Sequence, residues 1–131
     1  MDINKDLVAA SATPLVLAIL AERESYGYAI LKRVGELSGG RLAWSDGMLY
    51  PVLHRLERLG CVEARWGTSE HGRQRKYYRL TPEGRMHLAE QRRQWRVVDE
   101  ALRRLWSRPY LAAGAMPLTQ RSEGASCRER V

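Results

Sequence analysis

"SDGMLYPVLHRLERLG", Ser45 to Gly60, is the stretch on which the fold turns. Leu49, Val52, Leu53, Leu56 and Leu59 recur at steps of three and four, the spacing of a helix that buries one stripe. The opposite stripe is Gly47, Tyr50, Pro51, His54, Arg55 and Arg58. Such a helix packs one side on its own protein and offers the other to something outside. His54 and Arg55 supply donors for base edges and charge for phosphates. Tyr50 adds a hydroxyl and a flat ring. Backbone N–H groups from Ser45 to Gly47 can meet a phosphate directly. On this stretch alone a solvated basic face is the more economical reading. Pro51 cannot donate to the Gly47 carbonyl and crowds it, so the first turn is expected to be distorted or only loosely helical.

The residues that follow change that balance. "CVEARW" alternates, with Val62, Ala64 and Trp66 on one side and Cys61, Glu63 and Arg65 on the other. "KYYRLT" is a second short strand, and "GTSEHGRQR" between them is a polar, glycine-bearing loop, so the pair reads as a hairpin. From Arg65 to Arg79 there are five basic residues (Arg65, Arg73, Arg75, Lys76, Arg79) against the single acid Glu70. Loop tips of this kind are exposed and mobile. Cations there suit a phosphate backbone or a narrow minor groove. A basic hairpin beside a basic helix is less often a merely solvated surface.

Upstream, Asn4 caps a short helix to about Ser11. Thr13 then caps a second one with Pro14 at its first position. Leu15, Val16, Leu17, Ile19 and Leu20 make this helix apolar nearly all round, hence central. In "SYGYAILKRVGELSGG", Ser25 is the expected cap, Gly27, Ile30, Leu31, Val34 and Leu37 form one stripe, and Gly39-Gly40 ends the helix. Gly27 marks either close approach to another helix or the end of a turn. "RLAW", Arg41 to Trp44, is a short extended piece.

Thr81, Pro82 and Glu83 open a final helix expected to run to about Ser107, before Arg108-Pro109. Its length is roughly 39 Å at the helical rise. Leu88, Gln91, Trp95, Val98, Leu102 and Leu105 fall at alternating three- and four-residue steps, a coiled-coil-like seam that asks for a second copy of the chain. Trp44, Trp66 and Trp106 read as core or interface. The sequence therefore predicts a mainly α protein with a small β-hairpin. A winged helix-turn-helix domain with its N-terminal helix fills residues 1–80, and a long C-terminal dimerisation helix fills 81–107. Residues 108–131, ending "GASCRERV", read as a disordered tail. That ending resembles a translated sequencing-library adapter, so the segment is not taken as native and is left out of the fold.

The 131 residues carry a formal net charge of +7, and the pI is near 9.9. That balance fits nucleic acid or another anionic surface. Cys61 and Cys127 stand in no ligand spacing and are expected as reduced thiols, and His54, His71 and His87 form no zinc pattern. No metal or cofactor is expected. The acidic "MDINKD" start is wrong for a signal peptide, and Leu7 to Ala21 is too short and too polar to span a membrane, so a cytoplasmic protein is expected. No paired carboxylates, activated Ser or Cys, or phosphate-cradling glycine loop argues for an enzyme. A protein-interaction adaptor is the alternative, and would want an apolar rather than a basic exposed face.

"YGYAI" at Tyr26, "GMLYPVLHRLERLG" at Gly47, "GRQRKYYRLTPEG" at Gly72 and the tryptophan-bearing terminal helix together resemble PadR-like transcriptional regulators. The likeness covers roughly Ala12 to Trp106. Family members often read Gly-Leu where this chain has Gly60-Cys61, a change the strand should survive. The resemblance implies a homodimer built through the last helix and usually repression, here at a palindromic operator in double-stranded DNA. Placed on this chain, the groove-facing helix is Ser45 to Leu59 and the wing is Gly67 to Lys76. The candidate DNA contacts are Tyr26, Ser45, Gly47, Met48, Tyr50, Pro51, His54, Arg55, Arg73, Gln74, Arg75 and Lys76. In multidrug-sensing members similar to this chain, a tryptophan placed as Trp95 is stacks planar aromatic effectors between subunits. Dimer core is the preferred reading of Trp95, and effector contact the other.

Overall fold

The computed structural model describes residues 3–107 and lays out seven elements. They are α1 (Lys5–Glu22), β1 (Ser25–Tyr26), α2 (Gly27–Ser38), α3 (Asp46–Arg58), β2 (Val62–Thr68), β3 (Gln74–Leu80) and α4 (Pro82–Trp106). The tail proposed for 108–131, with Cys127, lies outside the described residues.

α1 corrects the expectation of two helices. Asn4 does cap it, accepting the Asp6 N–H at 2.8 Å, but the helix passes through Pro14 without a break. Pro14 leaves only the Ala10 carbonyl without its helical donor, and Ala10 is exposed, where water can serve it. Thr13 is thus mid-helix rather than a cap. Ala12, Val16, Leu17, Ile19 and Leu20 are buried, so the helix is central as its composition demands.

Ser25 is likewise not the cap of α2. Ser25 and Tyr26 pair antiparallel with Tyr78 and Tyr77, which turns the expected hairpin into a three-stranded sheet of order β1-β3-β2. α2 begins after the extended Tyr26 with no side-chain cap. It ends at Gly39, whose φ of 63° is the left-handed conformation that glycine adopts without strain. Gly40 N–H closes the end on the Gly35 carbonyl at 2.8 Å. Arg41 to Trp44 forms no strand. Leu42 N–H bonds the Ser38 hydroxyl instead, and Trp44 is buried.

The core joins Val16 and Leu17 of α1, Ile30 and Val34 of α2, Leu49, Leu53 and Leu56 of α3, and Tyr78 of β3. Two members of the expected stripes stay out. Leu59 follows the last turn of α3 and Leu37 lies in the last turn of α2, and both are more than half exposed. Trp66 is a larger departure. It shares a face with Val62, yet Val62 is 2% exposed and Trp66 67% exposed, because the hairpin outruns the core beneath it.

Thr81 fastens the end of the sheet to α4. Its hydroxyl donates to the Gly60 carbonyl at 2.6 Å and accepts the Gly84 N–H at 3.0 Å, while its N–H donates to the Cys61 carbonyl. Gly84 is required there, since a Cβ would overlap the Cys61 carbonyl oxygen. The described chain falls into two compact units, one ending at Arg92 and one starting at Arg93. In the second, Val97, Val98, Leu105 and Trp106 are exposed apolar residues of α4.

Candidate nucleic-acid interface

A groove of about 630 Å³ lies in the first unit, with α3 on one side and the β2–β3 hairpin on the other. Tyr50 and His54 come from α3. Arg73, Gln74, Arg75 and Lys76 come from the hairpin, Tyr26 from β1 and Gly27 from the start of α2. Seven of the twelve candidate DNA contacts meet there: Tyr26, Tyr50, His54, Arg73, Gln74, Arg75 and Lys76.

Of the remaining five, Ser45 precedes α3 as its N-cap and four lie elsewhere on the helix. Ser45 and Gly47 are exposed at its N-terminal end and Pro51 is exposed in its second turn. The Ser45 hydroxyl makes no capping bond, so the first N–H groups of the helix keep their outward positive end. The helix runs through Pro51 unbroken. Met48 is partly buried and turned toward Ile3, Val8 and Ala9. Arg55 donates to the Thr13 hydroxyl of α1 at 2.6 Å. The rotation of α3 about its axis is set by its packing on α1, α2 and β2, and that decides which polar residues look into the groove.

The wing cations divide into two sets. Arg65 is held by Glu24 through two bonds of 2.7 and 2.8 Å, and Arg79 by Glu63 at 2.7 Å. Arg65 lowers the Glu24 carboxyl below the ordinary glutamate range, chiefly by hydrogen bonding. Arg73, Arg75 and Lys76 take part in none of the ion pairs among the described residues. The Arg75 guanidinium lies 4.1 Å from the centre of the Tyr26 ring, which itself meets Tyr77 edge-on. Stacking of this kind fixes the guanidinium plane and leaves its N–H groups free to donate.

The tip is tighter than a polar loop of nine residues suggests. The strands extend to Thr68 and Gln74, leaving Ser69 to Arg73 as the turn. Ser69 is buried, and its hydroxyl accepts the N–H groups of His71 and Arg73. Ser69 N–H donates to the Arg73 carbonyl at 2.8 Å, and Gly72 takes a φ of 78°.

Tyr28, Trp66 and Tyr78 also line the groove and were not among the candidates. Tyr28 is exposed on the first turn of α2. The Tyr78 ring is buried, its hydroxyl has no partner among the described residues, and burial pushes its ionisation upward. Gly27 meets Tyr50, since a Cβ on Gly27 would strike the Tyr50 hydroxyl. Gly27 is thus both the residue where β1 passes into α2 and the point that the Tyr50 side chain of α3 approaches. Among the described residues no group of three His, Cys, Asp or Glu could hold a metal ion, and no helix is long and apolar enough to cross a membrane.

The family model described as "Transcriptional regulator PadR-like family" matches residues 16–90. The Escherichia coli protein named transcriptional regulator YqjI is 30% identical over 89 residues, which are 68% of this chain and 41% of that one. This chain thus spans less than half the length of that relative. A solved transcriptional regulator from Clostridium thermocellum superposes with a TM-score of 0.69 at 27% identity, covering 76% of this chain and 97% of the other. A PadR family transcriptional regulator from Eggerthella lenta gives a TM-score of 0.66 at 33% identity, covering 76% and 85%.

Proposed function

The chain belongs to the PadR-like family of transcriptional regulators, and from that premise we propose that it is a sequence-specific DNA-binding repressor acting as a homodimer on a palindromic operator. The observation that carries the reading is the groove. It brings Tyr50 and His54 of α3 to the same mouth as Arg73, Arg75 and Lys76 of the wing. α3 enters the major groove, with base edges read from Tyr50 and His54. The wing cations hold the flanking sugar–phosphate strand. Two copies then sit one helical turn apart, about 34–36 Å, or a multiple of it.

Val97, Val98, Leu105 and Trp106 support self-association through α4, since they are apolar and exposed in the single chain. Trp95 and Leu102 are half-buried on the same helix. A planar aromatic effector contacting Trp95 would release the repressor. The basic groove counts against a protein-interaction adaptor, and the family's role in regulation counts against an enzyme. The cytoplasm is the compartment such a regulator requires.

The test is binding to a set of duplexes selected from a random pool, with footprinting of the best. A two-fold symmetric footprint with Kd at least about a thousandfold tighter than for unrelated DNA is expected. Weak and sequence-blind binding to every duplex at physiological salt would refute the reading. Sedimentation of the free chain as a monomer at micromolar concentration would refute the dimer.

A further inference from the structure

Trp66 is an exposed indole in a groove lined by tyrosines as well as by Arg73, Arg75 and Lys76. Along β2, Ala64, Trp66 and Thr68 share a face and stand across from Tyr78, Lys76 and Gln74 of β3. Tyr78 is buried, so this is the core-side face carried outward beyond the core. Trp66 therefore points to the α3 side of the wing, and lines the groove together with Tyr50 and His54. The alternate residue Arg65 is drawn to the other side by Glu24. On the groove side this apolar plane stands across from Lys76, with Arg73 at the turn beyond it, neither of them in an ion pair among the described residues, while Arg75 alternates to the Arg65 side and rests on Tyr26.

A sugar–phosphate strand has the matching chemistry. It alternates an anionic group with a deoxyribose whose C–H face is apolar, and it exposes no base edge to a side chain approaching from outside the duplex. An acidic peptide would satisfy the cations and leave the indole in water. A small apolar ligand would do the reverse.

We propose that Trp66 packs its indole face on a deoxyribose of the strand lying between α3 and the wing, while Lys76 and Arg73 hold the neighbouring phosphates. The inference rests on the DNA-binding reading above and adds a contact that carries neither charge nor sequence. Trp66 thus strengthens binding to operator and to unrelated DNA by the same factor, and adds nothing to the counterion release.

The experiment compares wild type, Trp66→Ala and Trp66→Phe on the selected operator and on a scrambled duplex across a salt series. Trp66→Ala is expected to weaken both by about tenfold, from the loss of indole burial, with an unchanged salt slope. Trp66→Phe should keep most of the affinity. The tryptophan fluorescence change on adding DNA should disappear in Trp66→Phe, which retains Trp44, Trp95 and Trp106. That readout stands even if Trp66→Ala proves poorly folded. Unchanged affinity of folded Trp66→Ala, or a DNA-dependent fluorescence change surviving in Trp66→Phe, would overturn the contact. A loss confined to the operator would make Trp66 a base reader and overturn the sugar assignment. A shift in self-association with DNA affinity intact would make it a contact between copies, which also overturns it. Failure of the wild type to bind any duplex would sink the DNA-binding reading itself, whereas these outcomes sink only the role of Trp66.

Discussion

Alanine at Arg73 or Arg75 should flatten the salt dependence of DNA binding, and alanine at Arg65 should not. All three belong to one basic hairpin, and composition does not distinguish them. The structure does: Arg65 spends the Nε–Nη2 edge of its guanidinium on Glu24, at 2.8 and 2.7 Å, while Arg75 rests on the Tyr26 ring and Arg73 stands at the turn. Each phosphate neutralised contributes about 0.9 to the slope of log K against log salt. The proposed dimer carries two wings, so one substitution removes about 1.8 from the slope. Between 50 and 200 mM salt, a fourfold change, that is a factor of about 4 to the power 1.8, or roughly twelve. Arg73→Ala should therefore bind more weakly than wild type at 50 mM and lose about twelvefold less of its remaining affinity by 200 mM. Arg65→Ala should keep the wild-type slope, because its charge is already met within the protein. Fluorescence anisotropy of a labelled operator over that salt range measures all three. Equal slopes throughout would show that the groove cations touch no phosphate. A flattened slope in Arg65→Ala alone would show that the Glu24 pairing does not survive on DNA.

Four other substitutions probe the frame that carries the groove. Gly84→Ala should cost at least about 2 kcal/mol in urea unfolding at fixed protein concentration, because the new methyl meets the Cys61 carbonyl and comes 2.7 Å from Leu80 Cδ1. Gly35→Ala, with nothing within 4 Å of its Cβ position, should be neutral or stabilising by up to about 1 kcal/mol, and equal effects at the two sites would contradict the packing. Gly27→Ala should leave thermal stability close to wild type yet weaken operator binding several-fold, since it displaces only the tip of the Tyr50 side chain; a large loss of stability with normal binding would be the contrary result. Glu24 has a lowered pKa in the folded chain, so its contribution to stability is complete above the unfolded glutamate pKa and is lost as pH falls through the folded value. Glu24→Gln should show a shallower fall of melting temperature on acidification than wild type, and identical pH profiles would remove the ion pair from the stability of the wing root.

Much of this was readable without coordinates, and the failures share a cause. The stripe of α3, the hairpin and the opening of α4 at Thr81 and Pro82 depend on neighbours within four residues, and sequence spacing reports those directly. β1 does not, because a two-residue strand has no period and exists only through Tyr77 and Tyr78, some fifty residues on. Thr13-Pro14 satisfied a local rule for a helix start, yet the helix continued because the one carbonyl Pro14 leaves unpaired faces solvent. Alternation placed Trp66 on the core side of its strand and could not say that the core stops near Ala64. Met48 and Arg55 illustrate the limit for the site. Period gives the faces of α3, but its rotation against the elements it packs on decides that Arg55 meets Thr13 and His54 meets the groove.

The turn closed by Ser69 bears on the kinetics of recognition. A flexible basic loop must surrender its conformational freedom when it meets DNA, at a cost of about 1–2 kcal/mol for each residue fixed. Here the Ser69 hydroxyl and the Ser69–Arg73 backbone bond impose that order during folding. The backbone at Arg73 is thereby set before any DNA arrives. Association then needs little rearrangement of the wing, and the rate of encounter is left to long-range attraction between a chain of charge +7 and the phosphates.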